Sequence, residues 1–275
     1  MKNSVDIKFR EWHLVSILPF FLLQSCDLFE AHPYDGKVTG ETGINLKNIK
    51  LIEDSCVDKT TIRFVMTGDT QRWYSETEDF VNTINAKDDI DFVIHGGDIS
   101  DFGLTKEFMW QRDILNKLKI PYVVVIGNHD CLATGKHVYR EIFGEENFSF
   151  IAGNVNFVCL NTNALEYDYS HPVPDFNFIE NKRILSVPNH EKTVFVMHTP
   201  PYSYGFNNNV AQAFQSRIKL FPDLQFCLHA HLHFISEVDI FDDGVVYYGS
   251  ANIGKRSYLL FTITQDSYTY EVIYF

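Results

Sequence analysis

The sequence predicts an α/β layered domain, and three observations point to it. From residue 61 onward, apolar runs of strand length alternate with segments of helical period. The run 121–126 is nearly continuous in Val and Ile, as in a strand buried on both faces. Five polar clusters each follow the carboxyl end of a predicted strand, where open α/β sheets bind their ligands. The chain of 275 residues is 45% hydrophobic and 21% charged, a balance that excludes wholesale disorder.

The first segment reads as an address. Lys2, Lys8 and Arg10 precede an apolar run over 14–23 that holds Pro19. A membrane span needs about 20 apolar residues, so this run is too short to cross a bilayer and fits a secretory signal. It ends in Leu22-Leu23-Gln24-Ser25-Cys26, which resembles a bacterial lipoprotein lipobox. That resemblance implies cleavage before Cys26, a lipid on Cys26, and an exported protein anchored to a bacterial membrane on its periplasmic or outer face. The expected organisation is a signal peptide over 1–25, a tether and extension over 26–59, and one domain over 60–275. Within the extension, Pro33, Gly36, Gly40 and Gly43 suggest a tether followed by one strand joining the domain's edge.

The elements then follow in order. Strands are predicted at 61–67, 91–95, 121–126, 156–160, 193–197, 224–228, 245–248, 258–264 and 268–275. Helices are predicted at 105–118, 175–185 and 211–221. A further helix is expected after the capping-box pattern Ser75-Glu76-Thr77-Glu78, with Phe80, Val81 and Ile84 as its apolar face. Cys159 and Cys227 lie in apolar runs and read as buried thiols. No cysteine pair is spaced as CxxC, so a zinc ribbon is not indicated.

The five clusters carry the chemistry. They are Gly68-Asp69-Thr70-Gln71, His95-Gly96-Gly97-Asp98-Ile99-Ser100-Asp101, Gly127-Asn128-His129-Asp130, His198-Thr199-Pro200-Pro201 and His229-Ala230-His231-Leu232-His233. Carboxylates gathered without a cation would repel one another and each would carry a large desolvation cost. One or two divalent ions remove both problems. Oxygen and imidazole donors without thiolate suit Mn, Fe or Zn. A net charge of −13, from 23 Lys+Arg against 36 Asp+Glu, opposes a phosphate-tracking groove, so no nucleic-acid partner is expected.

In this order the clusters resemble the motifs of the calcineurin-like metallophosphoesterases, over about residues 60–275. The resemblance implies a four-layer α/β/β/α sandwich that hydrolyses a phosphate mono- or diester of a small substrate. It implies two divalent metal ions bridged by Asp98, with Asp69, Gln71 and His233 completing one site and Asn128, His198 and His231 the other. It implies attack by a metal-bridged hydroxide, with His129 as general acid and Asp101 orienting His129. Two positions depart from the family pattern: Gln71 stands where His is usual, and Ala230 where Gly is usual. An amide oxygen binds metal more weakly than imidazole, and this supports a competing reading: a lipid-tethered protein that binds metal or phosphorylated ligands with little turnover. Arg72, Trp73, Tyr74, Tyr202, Tyr204 and Phe206 follow metal loops, and either substrate contact or loop packing is open to them. His95 and His229 are expected to be structural, and Asp130 to steady a loop or cap a helix.

Overall fold

Alternation along β1 (Ile62–Thr67) sets the layers. Ile62, Phe64 and Met66 enter one buried cluster and Val65 another, because successive strand side chains point to opposite faces. The computed structural model describes residues 36–164, 172–186 and 192–275. The expected signal segment and Cys26 lie outside them.

β1 pairs in parallel with β2 (Phe92–His95), and β2 with β3 (Tyr122–Val124). On its other side β1 pairs antiparallel with β10 (Ser257–Ile263), which pairs with β11 (Tyr268–Tyr274). The second sheet contains β4 (Phe148–Ala152), β5 (Val155–Leu160), β6 (Lys192–Met197), β7 (Leu224–His229), β8 (Ser236–Asp239) and β9 (Val246–Gly249). Its order is β4-β5-β6-β7-β9-β8, and β5, β6, β7 and β9 run parallel. The two mixed sheets face each other across an aromatic core. The Phe64 ring stacks at 5.3 Å on both Phe92 and Phe261 and meets Phe157 edge-on at 5.1 Å.

Helices cover the outer faces. α2 (Tyr74–Asn85), α3 (Thr105–Leu115) and α4 (Gly135–Ile142) bury Phe80, Phe108 and Tyr139 against the first sheet. α5 (Phe176–Ser186) and α6 (Ala211–Ile218) bury Ile179 and Phe214 against the second. The result is the four-layer α/β/β/α sandwich, with six helices among the described residues when α1 (Ile44–Cys56) is included.

Helix α1 replaces the strand expected at the domain's edge. It lies along the open border of β3, and asparagine side chains do what a neighbouring strand would do. Asn45 donates from Nδ2 to the Val124 carbonyl at 2.8 Å and accepts the Val124 N–H at Oδ1 at 2.9 Å. Asn48 Nδ2 donates to the Tyr122 carbonyl at 2.7 Å. Ile52 and Cys56, one and two turns on, enter the core between the sheets. The capping box is not formed either. The helix already begins at Tyr74, and Thr77 Oγ1 donates to the Trp73 carbonyl instead. Cys56, Cys159 and Cys227 are free and buried.

Asn45→Leu would leave the Val124 N–H buried without a partner, and its carbonyl with the Tyr139 hydroxyl alone. We predict a loss of about 1–3 kcal/mol in urea unfolding. Leu46→Ala, on the exposed side of the same helix, should stay within about 0.5 kcal/mol of the parent.

Candidate metal centre

The five polar clusters meet at one end of the sandwich, beyond the carboxyl ends of β1, β2, β3, β6 and β7. Each chain must leave its strand and turn sharply to aim a side chain inward. Asp69, Gln71, Asp98, His231 and His233 all have positive φ, between 36° and 70°. For residues with a Cβ this left-handed conformation costs about 1 kcal/mol or more each, and it clusters at functional sites. Gly97, at φ 102°, lets the second loop pass close: a Cβ there would sit 2.8 Å from both Gly127 N and His198 Nδ1. Ala230 is not among the positive-φ residues, so its methyl group carries no strain. That methyl lies 3.0 Å from where a Cβ of Gly68 or Gly96 would stand, and so fills the space those glycines leave.

One half of the centre gathers lone pairs. His198 Nε2 lies 3.0 Å and His231 Nδ1 2.9 Å from Asn128 Oδ1. The other ring nitrogens face carbonyls: His198 Nδ1 donates to Gly96 O at 2.8 Å, and His231 Nε2 donates to Tyr204 O at 2.7 Å. In the neutral rings those bonds fix the tautomers, so three acceptor atoms point at one another, an arrangement that a cation resolves. His198 Nε2 also lies 3.4 Å from Asp98 Oδ2. Burial opposes a charge on His198, but the Asp98 carboxylate, with Asp69 and the Gly96 carbonyl, outweighs it and holds the ring's pKa up at about 9. A proton on His198 thus takes the place a metal would take.

The other half gathers carboxylates. Asp69, Asp98 and His233 each offer a ligand atom, all within 4.8 Å of one another. Asp69 Oδ1 is buried without a hydrogen bond, 3.4 Å from His233 Nε2. Gln71 Nε2 reaches Asp98 Oδ2 at 3.3 Å. All seven residues expected as ligands are therefore brought together. Buried carboxylates, an orphaned oxygen and fixed imidazole lone pairs make a donor set that fits divalent cations.

A family model for calcineurin-like phosphoesterases matches residues 62–234. The chain belongs to the calcineurin-like phosphoesterase family. Membership implies divalent metal ions. A 3',5'-cyclic-nucleotide phosphodiesterase of Nostoc sp. is 25% identical over 170 residues, which are 58% of this chain and 63% of that protein. The chain thus spans under two thirds of that relative's length. Two solved structures share the fold. One is a dimetal phosphatase from Danio rerio, with TM-score 0.64 and 11% identity over 77% of this chain and 95% of the other. The second is a purple acid phosphatase from yellow lupin seeds, with TM-score 0.58 and 13% identity over 78% and 52%.

The loops of this centre are tied from behind. The buried Asp130 carboxylate accepts the N–H groups of Ile99, Ser100 and Gly127 and the Ser100 hydroxyl, joining the loop of Asp98 to that of Asn128. Burial and the neighbouring Asp98 push its pKa up to about 6. Gln111 of α3 donates to the Gln71 carbonyl at 2.8 Å and pins the first loop. A polar residue on the inward face of a predicted helix was the one signal for Gln111 in the sequence. Nothing in the sequence marks the carbonyls of Gly96 and Tyr204, because main-chain atoms have no residue signature. His129 stands at the mouth, its N–H donating to Asp98 Oδ1 at 2.9 Å. Asp101 meets His129 through its main-chain oxygen, 2.6 Å from Nδ1, whereas its carboxylate is 3.9 Å away and paired with Arg72.

His95 and His229 are structural, as expected. His95 Nδ1 accepts the Gly97 N–H at 3.2 Å and its Nε2 lies 3.0 Å from Thr70 Oγ1. Burial, with the charge of His198, lowers its pKa to about 3, and burial lowers that of His229 to about 4. Such rings stay neutral in the fold while the unfolded chain takes up protons below pH about 6.5, so their contribution to stability is present above that pH and lost as acid is added. In metal-free protein, wild type should lose roughly 2–3 kcal/mol more than His95→Gln between pH 6.5 and pH 4.5, read from urea midpoints. Parallel curves would refute the assignment.

Proposed function

We propose that the chain is a metal-dependent phosphoric ester hydrolase acting on a small phosphate mono- or diester. The observation that supports this most is the convergence of Asn128 Oδ1, His198 Nε2 and His231 Nδ1 beside the Asp69–Asp98–His233 group. Asn128, His198 and His231 would hold one divalent ion, and Asp69, Gln71 and His233 the other, with Asp98 shared. A half-turn of the Gln71 amide brings its oxygen where its nitrogen now faces Asp98. Mn, Fe and Zn all suit these donors. Bound divalent ions supply Lewis acidity, lowering the pKa of water and drawing charge from phosphoryl oxygens.

The chain's own groups supply the rest. The bond to Asp101 O fixes the His129 ring, so that Nε2 is free to carry a proton toward the oxygen that departs. The main-chain N–H of His129 on Asp98 holds that ring in register with the metal residues. On this reading His129 serves as general acid and Asp101 positions it. The competing reading, a binder with little turnover, has Gln71 in its favour but leaves the placement of His129 without a purpose. Export and anchoring through Cys26 complete the proposal.

Manganese-loaded protein should hydrolyse p-nitrophenyl phosphate or its bis-ester, and His129→Ala should lower kcat by about 10²–10⁴-fold on an alkyl phosphate, whose alkoxide must be protonated as it leaves. Asp98→Ala should lose both metals by elemental analysis. An unchanged rate in the first variant, or two metals retained in the second, would sink the assignment.

A further inference from the structure

Arg72 leaves the first metal loop and crosses to the second. Its Nη2 lies 2.8 Å from Oδ1 and 2.6 Å from Oδ2 of Asp101. The Asp101 side chain is only 5% exposed, while that of Arg72 is 63% exposed. The same Asp101 Oδ1 is the oxygen 3.9 Å from His129 Nδ1. Behind this pair stands another buried carboxylate: Glu107 Oε2 accepts the N–H groups of Asp101, Phe102 and Leu104. An anion approaching His129 therefore comes up against the Asp101 carboxylate, with Glu107 behind it.

We infer that Arg72 is a positioning residue that neutralises Asp101, so that a negatively charged phosphoester can approach His129. Without the guanidinium, Asp101 would repel the substrate and could swing its carboxylate onto His129 in place of its carbonyl. The inference rests on the phosphoesterase reading. It predicts a penalty that grows with the substrate's negative charge and vanishes when the carboxylate is removed as well.

The test compares wild type, Arg72→Gln, Arg72→Lys and the double variant Arg72→Gln/Asp101→Asn, each loaded with manganese and checked for metal content. Calorimetry measures the binding of inorganic phosphate. Steady-state rates are taken with p-nitrophenyl phosphate, a dianion, and its bis-ester, a monoanion. Arg72→Gln should keep its manganese and bind phosphate about tenfold more weakly, as expected from one uncompensated charge in a half-wetted site. Its KM should rise more for the dianion, with kcat changed less than KM. Arg72→Lys should retain most of the affinity, and the double variant should recover it. Phosphate binding equal to wild type in Arg72→Gln would overturn the inference. So would a double variant as weak as the single one, which would mean that Arg72 grips the anion itself. Absence of phosphate binding in wild type would overturn it too. If wild type binds phosphate but hydrolyses neither ester, the hydrolase reading falls, and the binding series still decides the role of Arg72.

Discussion

A carboxylate almost sealed from water organises this molecule. Asp98 is 1% exposed, and around it stand the His198 ring, the Gln71 amide and the His129 N–H. Burying an anion is costly unless charge and hydrogen bonds are brought to it. Burial pushes the Asp98 pKa upward, and the charge and hydrogen bond of His198, together with His129, more than reverse it. Each loop at this end of the sandwich either delivers a partner to Asp98 or supports one that does. Asp130 serves in the second way, by holding together the loops on which Asp98 and Asn128 ride.

The layered fold makes that concentration of charge possible. Parallel strands end side by side, so residues far apart in the chain emerge at one rim. The aromatic core around Phe64 holds the two sheets face to face, so donors from both reach the same space. The left-handed turns at five residues of the candidate site are the local cost of that geometry. A cation shared among their side chains would offset it.

Much of this was legible in the sequence. Apolar runs marked most strands, and the polar clusters that follow five of them marked the site. Helix α1 was hidden because two of its inward-facing residues, Asn45 and Asn48, are polar; they serve a strand border, and a hydrophobic pattern does not record that service. Strands β4 and β8 were hidden because they are edge strands, only partly buried. Helix α4 is short and begins at Gly135, without a side-chain cap. At the site, side-chain donors could be named in advance, but the carbonyls that set the histidine tautomers could not. The bond between Arg72 and Asp101 joins two loops whose closeness exists only in the folded chain.

The stretch matched by the family, 62–234, is not a self-sufficient piece of this architecture. Sheet one takes β10 and β11 from beyond its far end, and the border of β3 is sealed by α1 from before its start. Excising that stretch would strip both flanks of the sheet and leave raw strand margins of the kind that recruit other chains. The smallest portion able to stand alone thus extends upstream to the asparagine-bearing helix and downstream to the closing hairpin, although neither contributes a single atom to the chemistry.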